Sequence, residues 1–247
     1  MIISMVIFCS VSHAYAQSTQ KIEQELLRSF KRLQHSAIDS IGQANMAFCN
    51  SLLAYTASVK ATFTYEFKEL EREGLVIRSA EDGLFRIYSW ETPTGPSEHR
   101  FDAVYQYRAG NEVFSRLAQR GDANAGKWYS NIYTLKTDTR TYYIGLYNEM
   151  HSSIEYGQGV KVFCIEDKDL NIGVRLFKTA DGLTNEMGFK YNFLTVANQP
   201  ERPAKLIYYD ADDEKLHLTV VQQDGTVTRE IITWLFTGKY FEQIEKR

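Results

Sequence analysis

From Leu75 onward the chain changes its hydrophobic rhythm, and that change restricts it to one class of fold. Before this point apolar residues recur every three or four positions. After it they alternate in short runs rich in Val, Ile, Tyr, Phe and Thr, the pattern of half-buried strands. The runs cover 84–90, 101–107, 128–136, 141–148, 160–166, 170–178, 186–194, 205–209, 215–222 and 227–236. Asp82-Gly83, Asp181-Gly182 and Asp224-Gly225 supply the positive φ of tight hairpins, and 137–139, 167–169 and 210–213 are polar connections of the same kind. Runs so closely spaced leave no room for crossover helices, so successive strands should be antiparallel neighbours. About ten strands strain a single open sheet, which predicts a curled sheet, a barrel or a sandwich. No repeat of the length of a propeller blade is present, and the alternation is not the clean apolar-out, polar-in pattern of a membrane barrel.

Residues 17–74 form the expected helical segment. Ile22, Leu26, Phe30, Leu33, Ala37 and Ile41 lie on one stripe, widened by Leu27 and Ile38, with Ser18 or Thr19 at its start and Gly42 as its stop. Lys21, Glu23, Arg28, Lys31 and Gln34 should form the solvated face. A second helix is marked by Ala44, Phe48, Leu52 and Tyr55, and a short third one near 66–73 is ended by Gly74. The stripe predicts packing against the β body, so the class is α+β, mainly antiparallel β. The N-terminal helices and the meander over 75–247 should make one domain.

Residues 1–16 carry the pattern of a signal peptide. Met1 to Val11 is almost wholly apolar, and Ala14-Tyr15-Ala16 presents small residues for cleavage before Gln17. No Lys or Arg precedes the apolar run, and Cys9 sits inside it as one more apolar residue. The run is too short to be a stable membrane anchor, which takes about 20 apolar residues. The expected location is therefore periplasmic or extracellular. There Cys49 and Cys164 can form a disulfide, or remain as two buried thiols.

Hydrophobic residues at 44% suffice for a real core, and a formal charge of −3 argues against a nucleic-acid partner. Aromatics at 13%, with 16 Tyr and 14 Phe, suit a sheet with aromatic cross-strand pairs or a binding surface. The chain has no H-E-x-x-H, P-loop, G-x-G-x-x-G or zinc-type spacing, so no cofactor or metal is implied.

The densest unusual stretch runs from Ser89 to Arg100 and holds two of the four prolines. Trp90, Glu91, Glu98 and His99 are its candidate binding residues: a Trp face stacks on a sugar while the acids and imidazole bond its hydroxyls. The competing reading is a stiff hairpin loop with Trp90 packed on the sheet. Glu149-Met150-His151-Ser152-Ser153 lacks the strand–turn–helix context of a nucleophile, and Asp210, Asp212 and Asp213 lack the glycine and distal glutamate of a calcium loop. The leading functional expectation is an exported, soluble, non-catalytic binding or structural module with a protein or glycan partner. The alternative is a secreted hydrolase acting on glycans through paired carboxylates in a cleft.

Gly83-Leu84-Phe85-Arg86-Ile87-Tyr88-Ser89-Trp90-Glu91-Thr92, continuing through Gly95 and His99 to Val104-Tyr105-Gln106-Tyr107, resembles a motif of uncharacterised exported proteins of Bacteroidota-type bacteria. Where that motif has a glycine pair, this chain has Gly95-Pro96. The resemblance implies export and a β-rich fold, and carries no activity. The export reading predicts that secreted material begins at Gln17 or within a residue or two, which N-terminal sequencing checks.

Overall fold

The computed structural model describes residues 4–93, 99–119 and 125–244. Helices α1 (Ser4–Gln34) and α2 (Ile41–Ser58) are followed by a 3-10 turn (Lys60–Phe63) and the short α3 (Lys68–Arg72). Strands β1 (Val76–Ser79), β2 (Phe85–Pro93), β3 (His99–Ala109) and β4 (Glu112–Leu117) form a first sheet in that order. A second sheet is built from β5 (Trp128–Lys136), β6 (Thr141–Met150), β7 (Glu155–Glu166) and the short β8 (Asp169–Asn171). Then come β9 (Phe177–Thr179), β10 (Gly182–Thr184) and β11 (Glu186–Asn192); β11 returns to pair with β7. Finally β12 (Ile207–Asp210), β13 (Lys215–Val221), β14 (Val227–Phe236) and β15 (Phe241–Ile244) join β9 and β10 in a third sheet, ordered β10-β9-β15-β14-β13-β12.

The fold is α+β with antiparallel sheets stacked as a sandwich, not closed into a barrel. The layers run helices, first sheet, second sheet, third sheet, with a core in each gap. This stacking explains β2, which is buried at every position from Phe85 to Trp90. Its odd-numbered residues face the second sheet: the Phe85 ring lies 5.1 Å from those of Tyr143 and Phe163, and Ser89 Oγ accepts from the Tyr129 amide at 3.2 Å. Its even-numbered residues, Arg86, Tyr88 and Trp90, face the helices. A sheet covered on both faces reads as a continuous apolar run, whereas the third sheet, covered on one face, alternates. Aromatics fill the gap between the first two sheets. Gly145 makes room for them, since a Cβ there would stand 3.0 Å from the rings of Phe163 and Tyr129.

The helical layer differs from expectation in its punctuation. The first helix ends at Gln34, so Ala37 and Ile38 are exposed and Gly42 lies inside α2. Local side chains account for the break: His35 Nδ1 lies 2.7 Å from the Lys31 carbonyl and Ser36 Oγ donates to the Arg32 carbonyl at 2.7 Å, competing with helix continuation. Ser18 and Thr19 lie within α1 and do not start it. Glu23, placed by pattern on the solvated face, is buried at 4% exposure. Its carboxylate accepts from Tyr65 Oη at 2.7 Å and from the Glu69 and Leu70 amides at 2.8 and 3.4 Å, serving the free N–H groups that open α3.

The meander also departs from strict succession. The β7–β11 pair skips three strands, and β15 pairs with β9 in parallel. Residues 170–178 divide between β8 and β9, and β1, β4 and β15 were not marked by apolar runs. Cys49 and Cys164 are free and buried. Cys49 lies in the core between helices and first sheet, while Cys164 is on β7 in the second sheet. Burial first, and then the Asp102 carboxylate, push the Cys49 thiol up to about 11, keeping it in the unreactive protonated form.

Phe30 is fully buried and packs 4.9 Å from the Phe48 ring, so Phe30→Ala should cost about 3–5 kcal/mol in a thermal or denaturant melt. Ile38→Ala, at a side chain 71% exposed, should stay within about 0.5 kcal/mol of the parent.

Candidate functional site

The loop that stood out in the sequence does not assemble a sugar site around Trp90. Strand β2 runs through to Pro93, which puts Trp90 inside the strand on its helix-facing side, 1% exposed. Its Nε1 donates to Asn45 Oδ1 at 2.8 Å and its ring meets Phe48 edge-on at 5.1 Å. Trp90 is thus a core residue with its polar edge satisfied, and no face is left to stack on a ligand. Glu91 and His99 are brought together, Oε1 to Nδ1 at 2.6 Å, across the ends of β2 and β3. Glu98 lies outside the described residues.

The other polar loops resolve into turns. Ser152 Oγ accepts from the Glu155 amide at 2.9 Å, while His151 Nε2 lies 3.2 Å from Glu149 Oε2. Asp210 Oδ1 accepts from the Asp212 amide at 3.1 Å, and Asp213 pairs with Lys215 at 2.6 Å. Among the described residues no group of three or more His, Cys, Asp or Glu side chains is placed to hold a metal ion.

One concavity lies between the second sheet and the segment 201–208, with a volume of about 500 Å³. Four aromatic residues line it, Trp128 and Tyr133 from β5, Tyr147 from β6 and Tyr208 from β12, together with Asn131, Gln158 and Lys205. A β-bulge between Tyr129 and Asn131 shifts the register of β5 against β6, a device that re-aims side chains at a strand's end. Arg78 on β1 reaches across to the same strand, its Nε donating to the Ser130 carbonyl at 2.7 Å.

One glutamine fixes the opposite wall. Gln158 on β7 is 6% exposed; its Nε2 donates to Asn148 Oδ1 at 2.9 Å and to the Ala204 carbonyl. Its Oε1 accepts from the amides of Leu206 and Ile207, each at 3.1 Å. The start of β12 is thereby pinned to the second sheet by side-chain bonds where no ladder exists. Behind it, Asn148 Nδ2 is a buried donor without a protein partner.

The aromatic wall is also held. Tyr208 stacks on His217 at 4.5 Å and 17°, and Lys205 Nζ lies 5.0 Å above its ring. Burial pushes the His217 imidazole below its ordinary value despite the neighbouring Asp210 carboxylate, favouring the neutral ring for stacking. Tyr133 meets Tyr209 at 5.4 Å. Arg202 folds back on its own loop, donating to the Ala197 carbonyl at 2.6 Å with its guanidinium over Phe193.

Sequence reasoning passed over these residues, because Trp128 and Tyr133 sit in a run that reads as ordinary strand. Ser130-Asn131, two polar residues in a row within that run, is the trace of the bulge. No protein-family model, curated protein or solved structure matches the chain.

Gln158→Leu should remove the side-chain partner of the Ile207 amide and leave the Leu206 amide and Ala204 carbonyl only their mutual 3.1 Å bond, at about 1–3 kcal/mol for a buried group left unpaired. Hydrogen exchange should accelerate at Leu206 and Ile207 more than at the centre of β7, which mass spectrometry or NMR resolves.

Proposed function

We propose that the protein is an exported, non-catalytic binding module that takes a glycan or similar polar ring compound in the groove beside Trp128. The observation that carries this reading is the lining: the aromatic rings of Trp128 and Tyr133 set beside the exposed amide of Asn131. Sugars offer C–H faces that pack on aromatic rings and hydroxyls that exchange hydrogen bonds with amides. A volume of about 500 Å³ suits a small ligand, whereas a protein partner would take a broad, flatter surface. The hydrolase alternative calls for two carboxyl groups about 5–10 Å apart around the scissile bond. Among the described residues lining the groove Glu201 is the single carboxylate, so the lining favours binding over hydrolysis. Export rests on the apolar start and Ala14-Tyr15-Ala16, and on the resemblance of 83–107 to exported proteins.

Titration calorimetry against a panel of oligosaccharides tests this. Trp128→Ala should weaken a bound oligosaccharide by about tenfold, the loss of roughly 1.4 kcal/mol, with the melting transition preserved. Unchanged affinity in that variant, or saccharide cleavage during the titration, would overturn the reading.

A further inference from the structure

A second chamber lies between the first and second sheets, and its chemistry differs from that of the groove. It is small, about 60 Å³, and Tyr105, Tyr129, Lys127 and Lys161 line it. Two ammonium groups there share one carboxylate. Glu186 on β11 sits opposite Lys161 on β7 in the strand register, with Lys161 Nζ 3.5 Å from its Oε2. Lys127 Nζ and Tyr147 Oη both donate to Glu186 Oε1, the latter at 2.8 Å.

The arrangement is built with care for position. Tyr147 lies over a pair of facing glycines, Gly159 and Gly188. A Cβ at Gly159 would stand 2.2 Å from Tyr147 Cζ, and one at Gly188 would stand 2.9 Å from its Oη. Lys127 Nζ lies 4.2 Å above the same ring. The bare strands therefore seat the tyrosine, and the tyrosine seats the lysine and the carboxylate.

Charge and donors are in excess on one side. Glu186 is already engaged by Lys127 and Tyr147, so the longer contact from Lys161 leaves that ammonium with protons to donate. Arg116, whose Nη1 donates to the Leu170 carbonyl at 3.1 Å, adds positive potential at Lys161 and Tyr105. Asp102 also lines the chamber, but its Oδ2 accepts from Asn45 at 2.8 Å and Thr92 at 2.9 Å. Tyr105 and Tyr129 bond to each other, Oη to Oη at 3.0 Å, which uses one hydroxyl proton and leaves the second to donate. Burial raises both phenols, Tyr105 to about 12, so both carry their protons at neutral pH.

We propose that this chamber is a binding site for a small oxyanion of the size of inorganic phosphate, held by the Lys161 ammonium and the Tyr105–Tyr129 hydroxyls, with Lys127 and Glu186 as its positioning pair. Burial, acting before the opposing Glu186 charge, pulls the Lys161 ammonium below its ordinary range, and a bound anion would relieve that cost. Glu186 is the counter-charge the oxyanion competes with. Burial would raise its carboxyl, but the bonds from Lys127 and Tyr147 and the charge of Lys161 outweigh it and hold the group below its usual range. It therefore stays ionised and caps the affinity.

The test is titration of the full chain with inorganic phosphate, using sodium chloride at matched ionic strength as the blank. Wild type should show saturable binding at one site. Lys161→Met should weaken it by at least about tenfold, as expected for loss of a charged hydrogen-bond donor. Glu186→Gln keeps the shape of the side chain and removes the competing charge, so it should tighten phosphate by several-fold. A purely structural cluster would instead lose stability in Glu186→Gln and gain no affinity. If Lys161→Met does not fold, the Glu186→Gln comparison and the NMR shift of the Lys161 Nζ on adding phosphate decide the matter. No saturable binding to wild type at about ten millimolar phosphate, an unaffected Lys161→Met, or weaker binding in Glu186→Gln would each overturn the proposal.

Discussion

The guanidinium of Arg86, 5% exposed on the helix-facing side of β2, donates through Nη1 to the carbonyls of Thr62 and Phe63 at 2.9 Å each, and the helical layer is fastened there. Burying a cation among apolar side chains is costly unless its donors are met and its charge is spread. Here helix-end carbonyls meet its Nη1 and the rings of Phe67 and Tyr88 lie 5.7 and 5.2 Å from its Cζ, while its Nε remains a buried donor without a hydrogen-bond partner. The neighbouring strand completes the arrangement: Gln106 Nε2 donates to the Thr56 carbonyl at 2.7 Å and to Thr62 Oγ1 at 3.0 Å, while its Oε1 accepts from Tyr88 Oη at 2.8 Å. The carbonyls that α2 and the 3-10 turn leave unpaired are thus satisfied by the sheet. Glu23 performs the opposite service from α1, accepting the orphan amides at the start of α3. Polar groups at both ends of short helices decide where the helices sit, and the apolar contacts of Phe30, Phe48 and Leu52 then fill the space between them.

Pattern alone revealed the class of fold because each buried face leaves a period. The stripe of Ile22, Leu26, Phe30 and Leu33 and the strands 128–136 and 227–236 follow directly from it. Where pattern failed, a specific interaction prevailed over it. Glu23 sits at a polar position of α1 yet turns inward, because three donors of α3 and Tyr65 need an acceptor. Ile38 extends the stripe in sequence yet points away, because α1 has already ended at Gln34. The pairings β7–β11 and β15–β9 could not be read either, since strand order depends on how whole sheets stack and not on the residues between neighbours.

The candidate sites were less legible than the fold for the same reason. Trp90 drew attention as an aromatic beside acids and prolines, but one position of register decides whether such a residue faces solvent or core. Strand β2 continues to Pro93, so that register turns Trp90 inward onto Asn45 and Phe48. Trp128, by contrast, lies in an unremarkable run and gains its setting from a bulge two residues later. Lys161 and Glu186 are 25 positions apart in number, and become neighbours through the β7–β11 pairing that the sequence does not announce.

The groove and the chamber meet at Tyr147. It borders the groove together with Gly159, while its ring packs in the core between the first and second sheets and its hydroxyl bonds Glu186 beside the chamber. Gly159 and Gly188 have no side chains to hold the tyrosine away from the strands, so the ring rests directly on the backbone of β7 and β11. Any side chain at Gly159 would displace the ring, and with it the donor to Glu186 and the platform under Lys127. The glycine pair is therefore the backbone constraint that shapes the chamber's edge, through a ring fixed by contact and a hydroxyl fixed by charge.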